Sequence, residues 1–155
     1  MAPVRLVIFD ATQRGRWLLP SLSFIWAVGA RLYRRLGWFD HFKSASTWDE
    51  ALRWAAEIAP GAPLAEIQIW AHGKWGSARM AREELNVASL QEGHPHHEQL
   101  LRVRARLLPD GQSLWWFRTC ETLGAEPGQR FAAALAQFLN CRVAGHTYRI
   151  GFFQS

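Results

Sequence analysis

Apolar positions along the chain come in short runs separated by segments with helical spacing. Val4–Asp10, VRLVIFD, is a β-branched run that reads as a central strand. Ala65–Gly73, AEIQIWAHG, and Ser113–Thr122, SLWWFRTCET, are two more, and Cys141–Gly145 is a shorter fourth. Strands that are apolar for most of their length belong inside a parallel sheet. Between them, Leu22–Leu36 predicts a helix, with Phe24, Ile25, Val28 and Leu32 on its core face and Arg31, Arg34 and Arg35 on the rest. Thr47 with Glu50 three residues on is a capping box, followed by Trp48, Leu52, Ala55 and Ile58 at helical spacing and stopped by Pro60-Gly61. Leu100, Val103, Leu107 and Leu108 mark a crossover helix, and Phe131, Leu135, Phe138 and Leu139 a last one. Trp38–Ala45 reads as a short strand, Ser77–Leu90 as a hairpin or irregular excursion, and Tyr148–Phe153 as an edge strand. The order β-α-β-α-β-α-β calls for a three-layer α/β/α sandwich with a mostly parallel sheet.

Composition narrows the function classes. The 155 residues suit one domain with a sheet covered on both faces. The net charge is +5, but no run of Lys or Arg is dense enough for a groove-binding arm, which argues against nucleic acid. Two cysteines make no disulfide framework and suit a reducing compartment, so a cytoplasmic location is expected. MAPVRLVIFD lacks the features of a signal peptide. The most apolar segment, Trp17–Ala30, contains Pro20, Ser21 and Ser23 and falls short of the roughly 20 residues a span needs. It reads as a buried helix. No P-loop or dinucleotide fingerprint is present, no cofactor is called for, and no G-x-S-x-G elbow accompanies His72-Gly73. Cys120 lacks the arginine six residues on that a phosphatase loop supplies, since Glu126 stands there. His94, His96 and His97 read as a solvated turn rather than a metal site, and His146 as structural.

The candidate chemistry lies at the strand ends. Parallel strands place their C-terminal ends on one sheet edge, where ligands collect. Asp10, His72 and Cys120 close three of the apolar runs and are expected on that edge. An imidazole beside a thiol promotes the thiolate, the nucleophilic form. Gly73 lets the backbone approach a bound carbonyl, so its N–H and that of Cys120 are candidates for an oxyanion hole. The competing reading makes Cys120 a small buried hydrophobe and His72 a strand-end residue bonded to a loop.

A strand ending in His-Gly, a helical crossover, a strand ending in Cys, then a Gly-containing loop and helix is similar to the caspase-like (clan CD) cysteine peptidases. FRTCETLGAEPGQRFAAALAQFLNCRVAGHT looks most like the bacterial members of unassigned function, including CHAT-type domains. The likeness covers roughly Glu66–Gly151. It implies His72 as base or proton donor, Cys120 as nucleophile, Gly73 and Cys120 as oxyanion donors, and a pocket lined by Asp10 and Arg118. On a strand, Arg118 shares a face with Cys120, two residues on. It would take an acidic side chain and Asp10 a basic one, unless the two pair with each other. One departure is Glu121-Thr122 after the cysteine, where caspases have Arg-Gly; a carboxylate there opposes thiolate formation. Length is another, being short for a complete peptidase. The resemblance therefore carries two functions, a cysteine hydrolase acting on peptide or protein, and a catalytically silent domain that binds a protein partner. A third class is a basic binding module for nucleic acid or an anionic membrane surface, using arginines such as Arg14, Arg16, Arg31, Arg34 and Arg35.

Overall fold

The computed structural model describes residues 1–13 and 20–149. Five parallel strands form one sheet in the order β2-β1-β3-β7-β8. They are β1 (Val4–Asp10), β2 (His41–Ala45), β3 (Leu64–Trp70), β7 (Leu114–Phe117) and β8 (Arg142–Gly145). A second sheet, antiparallel and small, follows β3 directly and consists of β4 (His72–Lys74), β5 (Ser77–Met80) and β6 (Glu83–Asn86). The helices are α1 (Leu22–Arg35), α2 (Trp48–Glu57), α3 (His97–Arg104) and α4 (Ala125–Leu139). The expected three-layer α/β/α arrangement is what the chain adopts. Among the described residues, no helix is long and apolar enough to cross a membrane.

Alternation along the strands divides the core in two. Leu6, Ile8, Ile67, Ile69, Trp115 and Phe117 point to the face covered by α2, α3 and α4. Val7, Phe9 and Trp70 point the other way, against Trp26 and Ala30 of α1. Both faces of β1 are thus apolar from Leu6 to Phe9. On the α1 side β3 instead places Glu66 and Gln68 before Trp70, joined by side-chain hydrogen bonds. The α1 boundaries agree with the sequence pattern, but the face does not. Trp26 and Ala30 are its buried residues, whereas Phe24, Val28 and Leu32 lie 49–60% exposed. The helix has two apolar ridges, and periodicity alone does not say which one meets the sheet. The two large aromatics Trp26 and Tyr33 supply more area to bury on their side.

α2 starts as the sequence predicts. The Thr47 hydroxyl accepts from the Glu50 N–H at 3.1 Å, and the Glu50 carboxylate reaches back to the Ser46 N–H at 2.9 Å. α3 is shorter than the periodicity suggested, since it ends at Arg104 and Leu107 instead bridges to Leu64. Arg106 accounts for this. Its guanidinium donates to the carbonyls of Ala56, Ile58, Ala59 and Ala62 at 2.6–2.9 Å, tying this segment to the end of α2. The carbonyls left over at a helix end are satisfied by that one side chain. The excursion after β4 is the hairpin alternative, closed by β6 and a 3-10 turn at Val87–Leu90.

His96, 6% exposed, sits under that hairpin, 3.8 Å from the Glu83 carboxylate. Burial pulls its pKa below the usual histidine value, and Glu83 only partly opposes this. The unfolded chain then binds a proton that the folded one resists, so stability falls as pH drops below about 6.5. Urea midpoints taken from pH 8 to pH 5 should decline, and His96→Asn should flatten part of the decline. An unaltered slope in that variant would remove His96 as the cause.

Candidate functional site

The sheet order reverses between β1 and β3. From β1 the chain steps outward to β2 on one side and returns to β3 on the other. The crevice at the C-terminal ends of such strands is where open α/β sheets bind ligands. At this point Asp10 ends β1, and Ala71-His72-Gly73 leaves β3.

Asp10 has no exposed surface, and its two oxygens are fully engaged. Oδ1 accepts from the Thr12 N–H at 2.8 Å and from the Thr12 hydroxyl at 2.7 Å. Oδ2 accepts from the Gln13 side-chain amide at 2.5 Å. Ser23 of α1 donates its hydroxyl to the Asp10 carbonyl and accepts the Gln13 N–H, so the backbone of this turn is fixed too. The other end of the Gln13 amide, Oε1, lies 2.8 Å from His72 Nε2. A carboxylate only accepts, so it orders the whole row. The Gln13 amide must turn its NH2 to Asp10 and its oxygen to His72. Neutral His72 then carries its proton on Nε2, which leaves Nδ1 with a lone pair. The ring is steadied by an edge-on contact with Trp26, at 6.3 Å between centroids.

β7 stops at Phe117, three residues before Cys120. The Arg118 N–H still bonds the Ile69 carbonyl at 2.9 Å, but the chain then turns. The buried hydroxyls of Thr119 and Thr122 are bonded to each other at 2.5 Å across the turn, and Glu121 takes a positive φ of 49°. The strand alternation that would put Arg118 and Cys120 on one face therefore ends before the cysteine. Likewise β3 ends at Trp70, and His72 opens the small sheet rather than closing the large one.

The two tips nevertheless meet. A Cβ on Gly73 would overlap the Thr122 hydroxyl and lie 2.7 Å from the Cys120 carbonyl oxygen. Only a glycine permits that approach. The hairpin beyond it docks on the same turn, with the Trp75 N–H on the Glu121 carbonyl at 2.8 Å and the Gly76 N–H on the Thr122 carbonyl at 2.7 Å. Its two-residue loop closes on Lys74–Ser77, so the next pair, Gly73–Ala78, is of the kind that exchanges no hydrogen bonds. The Gly73 N–H points out of the hairpin. Trp75 sits at the loop with φ 33°, unusual for a bulky side chain, and is half exposed in a hollow shared with His72, Ser77 and Arg79.

The two cysteines differ. Cys120 is partly exposed, Cys141 is buried, and neither is in a disulfide. Burial pushes the Cys141 thiol up to about 11. The Glu121 carboxylate, next to Cys120 in the chain, faces the exposed Arg149 guanidinium at 3.6 Å.

Arg118 is half-buried between two indoles, 5.3 Å from Trp70 and 5.0 Å from Trp116. Burial lowers its pKa, and burial together with the Arg118 charge lowers that of His146. Asp10 and Arg118 thus hold different neighbours, Asp10 the Gln13 amide and Arg118 the tryptophans. Sequence reasoning missed Gln13. Asp-x-Thr at the end of β1 signals a turn closed by the aspartate, but nothing local tells that the next residue spans to β4. Arg14 and Arg16 lie outside the described residues.

Residues 46–154 match the model of a family described as Domain of unknown function (DUF4347). No curated protein matches the chain significantly.

Proposed function

The chain belongs to the DUF4347 family, and from its site we propose that it is a cysteine hydrolase of the peptidase class, with a caspase-like arrangement of His72 and Cys120. One observation carries this reading. A buried carboxylate, through Gln13, fixes both the ring position and the tautomer of an exposed histidine beside the turn that bears an accessible cysteine. A histidine with a merely structural task has no need of a preset lone pair, whereas a general base does. The adjacency of β3 and β7, parallel and in register from Glu66 to Ile69, supports the same arrangement.

In this mechanism the Cys120 thiol gives its proton to His72 Nδ1, and the thiolate attacks the peptide carbonyl carbon. The resulting oxyanion is held by the N–H groups of Gly73 and Cys120. The imidazolium returns its proton to the leaving amine as the C–N bond breaks, which leaves a thioester on Cys120. Water, deprotonated by His72, then attacks the thioester, releases the acid and restores the thiol. Asp10 and Gln13 act as positioning residues. Cation–π contacts hold Arg118 in place near the same edge, where it serves to bind an acidic side chain of the substrate.

Alkylation by iodoacetamide tests this. At pH 8, Cys120 should be modified at least about tenfold faster than Cys141, which stays protonated there. His72→Ala should slow Cys120 without altering Cys141. Equally slow labelling of both thiols, indifferent to His72, would reject the hydrolase and leave a silent domain that binds a protein partner.

A further inference from the structure

α1 presents to solvent a ridge that its fold does not use. Phe24, Val28, Leu32 and Leu36 recur every four residues and are 49–60% exposed, and Trp38 follows at 55%. Twelve residues at 1.5 Å each make a ridge of about 18 Å. Singly exposed apolar residues are ordinary, but a continuous row is not. The core side of the same helix is already satisfied by Trp26 and Ala30 against Val7, Phe9 and Trp70.

The charges beside the ridge are of one sign. Arg31 and Arg35 follow Val28 and Leu32 by three residues and so lie along it. With Arg34 and Phe42 they line a shallow hollow, in which the Arg34 guanidinium stands over the Phe42 ring at 6.0 Å. Among the described residues, the neighbouring carboxylates are taken by other cations, Asp40 by Arg5 and Glu50 by Lys43. α1 itself contains no acidic residue.

These features define the occupant. A second copy of the chain would set the arginines of both ridges against each other. A protein helix needs a groove, and this surface projects. A receiving surface that is extended, apolar within and negative at its rim fits both halves of the pattern. We propose that the outer face of α1 docks the protein on an anionic membrane surface, with Phe24, Val28, Leu32, Leu36 and Trp38 entering the headgroup region and Arg31, Arg34 and Arg35 pairing with lipid phosphates. Arginine stems are long enough to lie along the apolar row while their heads reach the phosphates. Interfacial helices bind by this sum of apolar burial and attraction to acidic lipid. The contact lies on a helix surface and is independent of the chemistry at His72 and Cys120.

Co-sedimentation of the whole chain with vesicles tests the proposal. Vesicles of equal parts phosphatidylglycerol and phosphatidylcholine should pull down the protein, and phosphatidylcholine alone should not. Added salt should weaken the binding. The pair Val28→Asp and Leu32→Asp, and separately the trio Arg31→Glu, Arg34→Glu and Arg35→Glu, should each weaken it at least about tenfold. These side chains are exposed, so thermal melts should match the wild type. A wild-type protein left in the supernatant with acidic vesicles overturns the proposal. So does loss with the arginine trio but full binding by the aspartate pair, which would reduce the effect to diffuse charge attraction. A dimer in sedimentation equilibrium that the aspartate pair dissolves would assign the ridge to a second copy and overturn it as well.

Discussion

Gly73→Ala should destabilise the protein by about 3 kcal/mol and disturb the thiol at the same time. The added methyl has nowhere to go. Its position is claimed by the Thr122 hydroxyl and lies 2.7 Å from the Cys120 carbonyl, part of a backbone turn that cannot swing aside. Thr119 and Thr122 lock that turn from within, while the Trp75 and Gly76 N–H groups lock it from the hairpin. Relief therefore means separating β4 from the Cys120 turn, which breaks the packing of both. Gly29→Ala is the control with the opposite sign. It lies inside α1, where a Cβ would rest 3.7 Å from the Trp70 ring in ordinary contact. Helix propensity favours alanine there by up to about 1 kcal/mol. Urea midpoints should fall for the first variant and hold or rise for the second. Wild-type stability in Gly73→Ala would mean that the two tips do not touch, and the dyad would lose its geometric basis.

Where the sequence was legible, one signal sufficed. β1 could be read to the residue because both its faces are buried and Asp10 closes it. Thr47 announced α2 because a cap is a local event. The illegible parts are those in which two local readings compete and tertiary packing decides. The outer ridge of α1 is as periodic as the inner one, and only the bulk of Trp26 and Tyr33 breaks the tie. α3 lost its last turn to Arg106, whose four carbonyl partners lie 44 to 50 residues back in sequence. At the site, the sequence could put His72 and Cys120 at neighbouring strand ends, yet both strands stop early, Cys120 on a tight turn and His72 in a new sheet. Gln13 was beyond reach, since its role exists only when the turn after β1 meets the start of β4, and Gln13 and His72 are 59 residues apart.

Asp10→Asn is the sharpest test of that role, because it exchanges one acceptor oxygen for an NH2 donor and changes almost no volume. The introduced amide would keep its oxygen toward the Thr12 N–H and hydroxyl, which need an acceptor. Its NH2 would then face Gln13, where an NH2 already stands. The Gln13 amide resolves the clash by turning over, so that its oxygen faces position 10 and its NH2 faces His72 Nε2. That nitrogen must now accept, and the imidazole proton moves to Nδ1. The Nδ1 lone pair that the proposed mechanism requires is then gone, although every side chain stays in place. In Ser-His-Asp triads a wrong tautomer of this origin costs about 10⁴ in turnover; here a fall of about 10³–10⁴ is expected, with the Cys120 alkylation rate falling alongside. Ring nitrogen shifts of His72 report the tautomer directly and should exchange between Nδ1 and Nε2. Gln13→Leu cuts the row without reversing it. The ring keeps a choice of tautomer, and the loss should be smaller, about 10²-fold, as for other residues that orient a functional histidine. Unchanged shifts and full reactivity in Asp10→Asn would mean that the carboxylate braces the loop only, and that His72 takes its protonation state from elsewhere.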